Sequence, residues 1–355
     1  MNTSTFTFHT ASHRNRRHPM IMLAGLMVIL ILSPAVAAAQ SKVGTTAAQF
    51  LSIGMGARAT AMGGTFTAVS DDITGLYWNP AGLARLGANE AGFVHTNWLI
   101  GTSIDWAGIG IKAGNYGTFG AAVTLLGSGD ILRTTEIDPD GTTGETFSTS
   151  DFAVGLSYAR AITDRFSVGI TLKYVSQRLY NVSATTAAAD FGVLFKTSEN
   201  GLRIAAVISN FGGSLKLSGK DLLVTATTGT GQAGENNQIA AELTTDTWNL
   251  PTSFRIGLAY DALRLPDGRL TLAADAMSPT DNRESINLGA EYAWRDLLYL
   301  RAGYNGLLRS DSETSWTAGA GLRYNFSGIG FSFDYTYQAF GRLSAPQWLA
   351  VGMRF

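Results

Sequence analysis

From about Ala91 to the end of the chain, apolar and polar residues alternate with a period of two. Phe166, Val168, Ile170, Leu172 and Tyr174 alternate with Ser167, Gly169, Thr171 and Lys173; Phe331, Phe333, Tyr335 and Tyr337 alternate with Ser332, Asp334, Thr336 and Gln338. Side chains of a strand point to opposite faces in turn, so this pattern predicts sheets with one apolar and one polar face. The runs last about ten residues, longer than the five or six usual in a soluble sandwich and right for a tilted membrane crossing. The polar face carries Lys173, Asp190, Arg203, Arg255, Asp275, Glu291, Arg301, Arg323 and Asp334 among many Gly and Ala. Charge inside and apolar residues outside is the inversion expected of a membrane barrel. No run is apolar for the roughly 18 residues that a spanning helix needs.

About fourteen strands are expected, near 91-98, 103-112, 117-126, 151-160, 166-178, 187-196, 201-209, 253-261, 269-277, 285-294, 297-305, 314-325, 329-338 and 347-355. The fold class is therefore all-β, an antiparallel transmembrane β-barrel. With both termini in the periplasm, brief inner turns fall near Asn115, Asp164, Glu199, Pro266, Arg295-Asp296 and Ser327-Gly328. The longest connections, Gly127–Ser150 and Phe211–Thr252, fall outside, and this short–long phase is expected throughout. Tyr158, Tyr260, Tyr292 and Tyr324 share a phase near the inner strand ends and suit an interfacial girdle. The last strand places Val351, Met353 and Phe355 on its apolar face, a carboxy-terminal pattern like the signal read by the barrel-insertion machinery.

One stretch breaks the alternation. Gly54 to Leu86 is dense in Gly and Ala, carries Asp71-Asp72 and ends in Trp78-Asn79-Pro80-Ala81-Gly82. Gly63-Gly64 permits positive φ and a sharp reversal. Asp71 or Asp72 suits the cap of a short helix through Ile73–Trp78. Asn79 suits an N-cap with Pro80 at the first helical position, and Gly82 or Gly87 an end. The segment 40-90 is expected to be a small plug, or hatch, inside a barrel of residues 91-355. Arg58 with Asp71 or Asp72 forms either a buried pair that fixes the plug, or a solvated cation beside helix-capping carboxylates. Gly257, Gly289, Gly303, Gly319 and Gly321, on the polar face, make room for it or serve strand curvature. Gly54-x-Gly56-x-x-Ala59 also fits a relaxed dinucleotide fingerprint, but Gly63-Gly64 interrupts the helix that motif needs and no βαβ pattern follows.

Residues 1-39 read as an export signal: basic Arg14, Arg16 and Arg17, an apolar Met20–Leu32, and small Ala37-Ala38-Ala39 before a cut at Ala39-Gln40. Of 26 Lys and Arg, those three Arg leave with the signal while all 27 Asp and Glu stay. The remaining chain is mildly acidic without a basic stripe, which argues against nucleic acid as a partner. With no Cys and His95 as the only histidine left, no transition-metal cluster, thiol chemistry or cofactor is expected. His95 and Asn97 share a strand face, but the expectation is that they point into the lumen, and no catalytic set is assigned. Asp138-Pro139-Asp140-Gly141 echoes the start of a calcium loop, yet lacks the later ligands and reads as a turn. Among the outer loops, Leu222, Leu223, Val224, Trp248 and Leu250 either pack on the barrel rim or form a cargo or ligand surface.

Gly56-Ala57-Arg58-Ala59, Met62-Gly63-Gly64, Ala68-Val69, Asp71-Asp72 and Trp78-Asn79-Pro80-Ala81-Gly82-Leu83 resemble the amino-terminal signature of the PorV/PorQ family. That family is in turn similar to the FadL long-chain fatty acid transporters. The resemblance implies an outer-membrane barrel, set in lipid, with a lumenal hatch. It further implies type IX secretion, with secreted proteins bearing a carboxy-terminal sorting domain and other secretion components as partners. FadL-like transport of fatty acids or other hydrophobic small molecules is the second expectation.

Overall fold

The computed structural model describes residues 43–197, 201–227, 238–309 and 312–355. The export signal at 1-39 and the turn residue Glu199 lie outside the described residues. The described residues belong to one compact unit, Ser41–Phe355.

Fourteen antiparallel strands close into a barrel. In chain order they are β1 (Glu90–Asn97), β2 (Ser103–Lys112), β3 (Thr118–Gly127), β4 (Thr149–Ala161), β5 (Phe166–Leu179), β6 (Val182–Lys196) and β7 (Arg203–Gly212). The second half is β8 (Ser253–Leu265), β9 (Gly268–Pro279), β10 (Ser285–Trp294), β11 (Leu298–Tyr304), β12 (Trp316–Phe326), β13 (Ile329–Gln338) and β14 (Gln347–Arg354). Each pairs with its neighbours in sequence, and β14 closes on β1 with Phe93 opposite Val351. Closure leaves no free edge, so the backbone donors of the wall are satisfied within the wall, as a hydrocarbon environment requires.

The strand faces follow the alternation. Leu172, Tyr174, Phe333, Tyr335, Leu349, Val351, Met353 and Phe355 are exposed outward, while Thr171, Thr336 and Trp348 are buried inward. Tyr260, Tyr292 and Tyr324 stand exposed on the outer face near the short-turn end, with Tyr158 half-buried among them. Ser327-Gly328 joins β12 to β13 with positive φ at both residues (49° and 85°), the conformation of a two-residue hairpin whose twist matches its strands.

The structure departs from the sequence-based expectation in four places. First, β5 and β6 run on to a tight turn at Tyr180-Asn181, so one long-loop-end connection is as brief as those opposite. The Thr/Ala-rich 182–186 continues the alternation without large apolar residues, which hides it in the sequence. Second, the described amino-terminal residues sit at the long-loop end: Thr46 bridges Asn249 and its hydroxyl donates to Asp281 at 2.7 Å. Phe355 lies at the other end, its amide donating to Asn89 at 3.0 Å, so the two termini of the described chain are not on one side. Third, His95 and Asn97 face outward with Phe93, and Val94 and Thr96 face in; His95 Nδ1 lies 2.7 Å from Asp105 Oδ1 on β2. Apolar Val94 turns inward because it packs on Trp106 and Ile73, inside a core the sequence does not display. Fourth, of the two glycines expected to end the Pro80–Arg85 turn, Gly82 lies within it, and Gly87 follows its cap residue Leu86.

Inside the barrel, residues 54–86 form a run of short turns buried almost throughout. They are a helical turn α1 (Ala57–Ala61), another α2 (Gly75–Trp78) and a 3-10 turn (Pro80–Arg85). Their apolar residues make two cores against inward wall residues. Met55, Ile73, Leu76, Leu83 and Leu86 pack with Ile104, Trp106 and Trp348; Met62, Phe66, Val69 and Trp78 pack with Leu194, Ala205 and Ala259.

Candidate binding cavity in the lumen

Within the lumenal segment, each signature residue has a local task. Gly63 and Gly64 take φ of 68° and 77°, where a Cβ is disfavoured. Asn79 caps the Pro80–Arg85 turn, Oδ1 accepting from Ala81 N at 3.0 Å. Its Nδ2 donates to Thr67 O at 2.8 Å and to Val193 O of β6 at 3.3 Å, tying the turn to the wall. Gly82 is small because a Cβ there would stand 2.1 Å from Ser70 Oγ. Asp72 does not cap α2 at its first residue; its Oδ1 accepts from Thr74 N at 2.9 Å and folds the approach to the helix. Trp78 Nε1 donates to Met55 O at 2.6 Å. Gly54 lets the Trp78 ring lie close, and Gly56, at φ 92°, faces Thr74.

The segment is fastened by charge. Arg58 Nη1 donates to Asp71 Oδ1 at 2.6 Å and Asp72 Oδ2 at 2.9 Å. Its Nε and Nη2 donate to the two oxygens of Glu291 on β10, at 2.7 and 2.8 Å. Glu291 also accepts from Arg301 Nε at 2.7 Å, and Arg301 and Arg323 both hold Asp334. Each charged group in this network has an oppositely charged partner, as burial demands. Burial lowers the affinity of Arg58 for its proton, but Asp71, Glu291 and Asp72 outweigh that, and it stays charged. For Asp71, burial raises the pKa, yet Arg58 and Arg85 outweigh it and hold the carboxyl below its usual range.

The wall makes room for the segment with glycines. A Cβ at Gly303 would lie 2.1 Å from Gly63 N, and one at Gly289 2.4 Å from Met62 O. Gly257 and Gly319 likewise face Thr67 and Ala61, while Gly321 leaves space for the Arg301 guanidinium. On the opposite wall Gly169 faces Pro80 and Gly192 faces Asn79, two further glycines with the same task.

Between this segment and the long-loop end lies a cavity of about 980 Å³. Its aromatic lining is Phe50, Tyr77, Trp78, Trp98, Phe340 and Trp348, with Leu51 and Ile53 beside them. Polar groups enter from strands around much of the wall, among them Asp151, Lys173, Arg255, Asp275, Asn287 and Gln338. Arg255 stacks its guanidinium over Trp78 at 4.9 Å, and its buried Nε has no hydrogen-bond partner. Lys173 pairs with Asp190 at 2.6 Å and donates to Asn210 at 2.7 Å. Burial raises the Tyr77 phenol to about 12 against a smaller opposing effect of Arg255, so it remains a donor, to Leu51 O at 3.0 Å. Residues 46–50 cross the mouth: Ala48 N donates to Gln177 Oε1 at 2.8 Å, and Gln49 Nε2 to Asp281 Oδ2 at 2.7 Å.

Leu222, Leu223 and Trp248, expected as a cargo or ligand loop, do not line this cavity. Leu223 and Val224 are exposed on a hairpin of 223–227 with 238–242, Trp248 is exposed, and Leu250 is buried against Phe50 and Val175. The cavity instead uses Phe50, Trp98, Arg255 and Trp348, which no local motif marks. Asp138 spends both carboxylate oxygens on the amides and hydroxyls of Thr142 and Thr143, as a turn residue does.

The sequence model of the uncharacterised protein family UPF0164 matches residues 31–355. The chain belongs to this family. No curated protein matches the UPF0164 chain significantly. Among solved structures it is similar to the toluene transporter TbuX of Ralstonia pickettii, with a TM-score of 0.55 and 15% identity over 85% of this chain and 98% of that one. It is also similar to the toluene transporter TodX of Pseudomonas putida, at 0.52 and 14%, covering 84% and 97%. The monoaromatic hydrocarbon channel CymD gives 0.52 and 15%, covering 84% and 96%. At such identity the likeness is one of fold: this UPF0164 protein has the barrel architecture of these solved channel structures.

Proposed function

We propose that the protein takes up a hydrophobic small molecule at the outer membrane, with residues 54–86 as a plug and the cavity above them as the receiving site. The observation that carries this reading is the aromatic cavity itself, open toward the long loops and floored by Tyr77 and Trp78. Its volume is that of a site for a small organic molecule. The transport of toluene by TbuX and TodX, as their names state, supports the same class of cargo. This cavity is more polar than a hydrocarbon requires: Arg255, whose Nε has no hydrogen-bond partner, fits a ligand with an apolar body and a polar or anionic end, whereas Lys173 is already paired with Asp190. In this reading the long loops face outward and the short turns the periplasm, and Val351, Met353 and Phe355 serve insertion. No catalytic role is assigned to any residue.

The PorV/PorQ-like reading, a type IX secretion component that receives exported proteins, rests on the signature stretch alone. Its docking surface would be the outer rim, including Leu222, Leu223 and Trp248. The two readings separate on affinity isolation of the tagged protein from its native outer membrane, followed by solvent extraction and mass spectrometry. A hydrophobic small molecule in near-stoichiometric amount is expected. Secreted proteins sharing a carboxy-terminal domain, with no such molecule, would replace transport by the secretion reading.

A further inference from the structure

Two opposite sides of the cavity differ in chemistry. On one side Trp98, just after β1, meets Phe340 edge-on at 5.6 Å and Trp348 of β14 at 5.8 Å. Trp348 Nε1 donates to Gly54 O at 3.2 Å, so its ring offers the cavity a face and not a donor. In the closed barrel β8 stands across the lumen from β1, and on that far side β7 to β10 turn polar residues inward. Ser209 of β7 is paired directly with Ser253 of β8, and Asp275 of β9 with Asn287 of β10. Arg255 follows Ser253 on the same face, and all five line the cavity.

These groups are short of partners. Ser209 and Ser253 are each 8% exposed, and Gln338 of β13, which also lines the cavity, is 6% exposed. Among the described residues the side chains of these three make no hydrogen bond. Asn287 accepts from Gly306 N at 2.9 Å and keeps its amino group free. The buried Arg255 Nε and Asp275 Oδ1 have no partner either. A polar group held away from bulk water is costly when unpaired, and a ligand that displaces its water must replace that hydrogen bond or lose affinity. A hydrocarbon replaces none of them. A lone carboxylate accepts, but donates nothing to Asp275 or the serine oxygens. A hydroxyl both donates and accepts, so several hydroxyls on neighbouring carbons serve the whole polar side.

We propose that the cargo of this cavity carries a polyhydroxyl, sugar-like head on an apolar body, with the head against β7–β10 and the body against Trp98, Phe340 and Trp348. Gln338 stands on the aromatic side and serves the joint between the two halves. The proposal rests on the uptake reading above and narrows its cargo to glycosides of hydrophobic molecules.

The test uses the tagged protein isolated from its native outer membrane, moved into phosphatidylcholine nanodiscs and titrated by intrinsic fluorescence. The probes are phenyl β-D-glucoside, toluene and methyl β-D-glucoside. Phenyl glucoside is expected to bind about tenfold more tightly than either of the others, each of which keeps one half of its contacts. In S209A/S253A, and separately in Q338L, its advantage over toluene should fall to about twofold, with toluene affinity unchanged. Heat-modifiable gel mobility checks that each variant folds. Toluene binding as tightly as phenyl glucoside overturns the proposal and leaves uptake of an apolar cargo standing. Methyl glucoside binding as tightly also overturns it, because the apolar body then contributes nothing. So does an advantage that is unchanged in both variants. No response to any of the three probes overturns the proposal too, and the solvent extraction described above then decides the uptake reading by itself.

Discussion

Arg58 is the residue on which the lumenal segment turns. Its side chain is 9% exposed and that of Glu291 2%, so neither can replace its partner with water. Breaking one member of such a pair typically costs about 3–5 kcal/mol, because the other charge is left buried. R58M is expected to lose stability of that order in equilibrium unfolding in detergent, and to raise hydrogen exchange across 57–86. R58K keeps the charge but not the planar fork that serves Glu291 twice, and should fall between. Asp71 adds a pH dependence. Its folded pKa lies below its unfolded value near 4, so its contribution is complete above that value and is lost as pH falls through the folded one. Acidification below about pH 4 should therefore loosen 57–86 in hydrogen exchange, and D71N should flatten that dependence.

At the scale of elements, the lumenal segment and wall are matched surface to surface. The segment supplies Gly63-Gly64 and the wall supplies Gly289 and Gly303, so backbone meets backbone. A side chain at Gly303 must displace Met62 or Gly63, and neither is the movable end of a flexible chain. G303V is expected to leave the barrel closed, with unchanged heat-modifiable mobility, while exposing 54–86 to protease added from the short-turn end. Protection equal to wild type would mean that the segment does not depend on this contact. The alternation that reveals the strands also indicates the inward position of Gly303, but not what it faces. Close approach is a property of two distant segments, and only one is visible at a time in the chain.

For the whole molecule, the cavity is the decisive feature. Trp78, Trp98 and Trp348 all line it, so an entering ligand should change intrinsic fluorescence. An amphiphile with an anionic end is expected to bind more tightly than its neutral analogue, and R255M should remove most of that difference while leaving the neutral analogue unaffected. Equal affinities in wild type would separate this barrel from ligands with a charged end. A ligand at a hundred times its Kd should also raise resistance to unfolding by about 2.7 kcal/mol.

The sequence by itself determined the wall. Period-two alternation marks the two faces of most strands, though not of Glu90–Asn97, and strands such as Ser103–Lys112, Ser285–Trp294 and Ile329–Gln338 end where it ends. It also marked Arg58, Asp71, Asp72 and Asn79 as residues of a compact internal segment, because short turns are local and their glycines, caps and prolines lie within a few positions of one another. The tertiary structure alone decided which of the charges meet, that Glu291 is the partner of Arg58 in the wall, and that Val94 turns inward onto a core with Trp106. It also decided that the cavity is built from Phe50, Trp98, Arg255 and Trp348 rather than from the long loop. Those contacts join residues far apart in the chain, and their geometry comes from closure of the barrel around the segment, which no local pattern encodes.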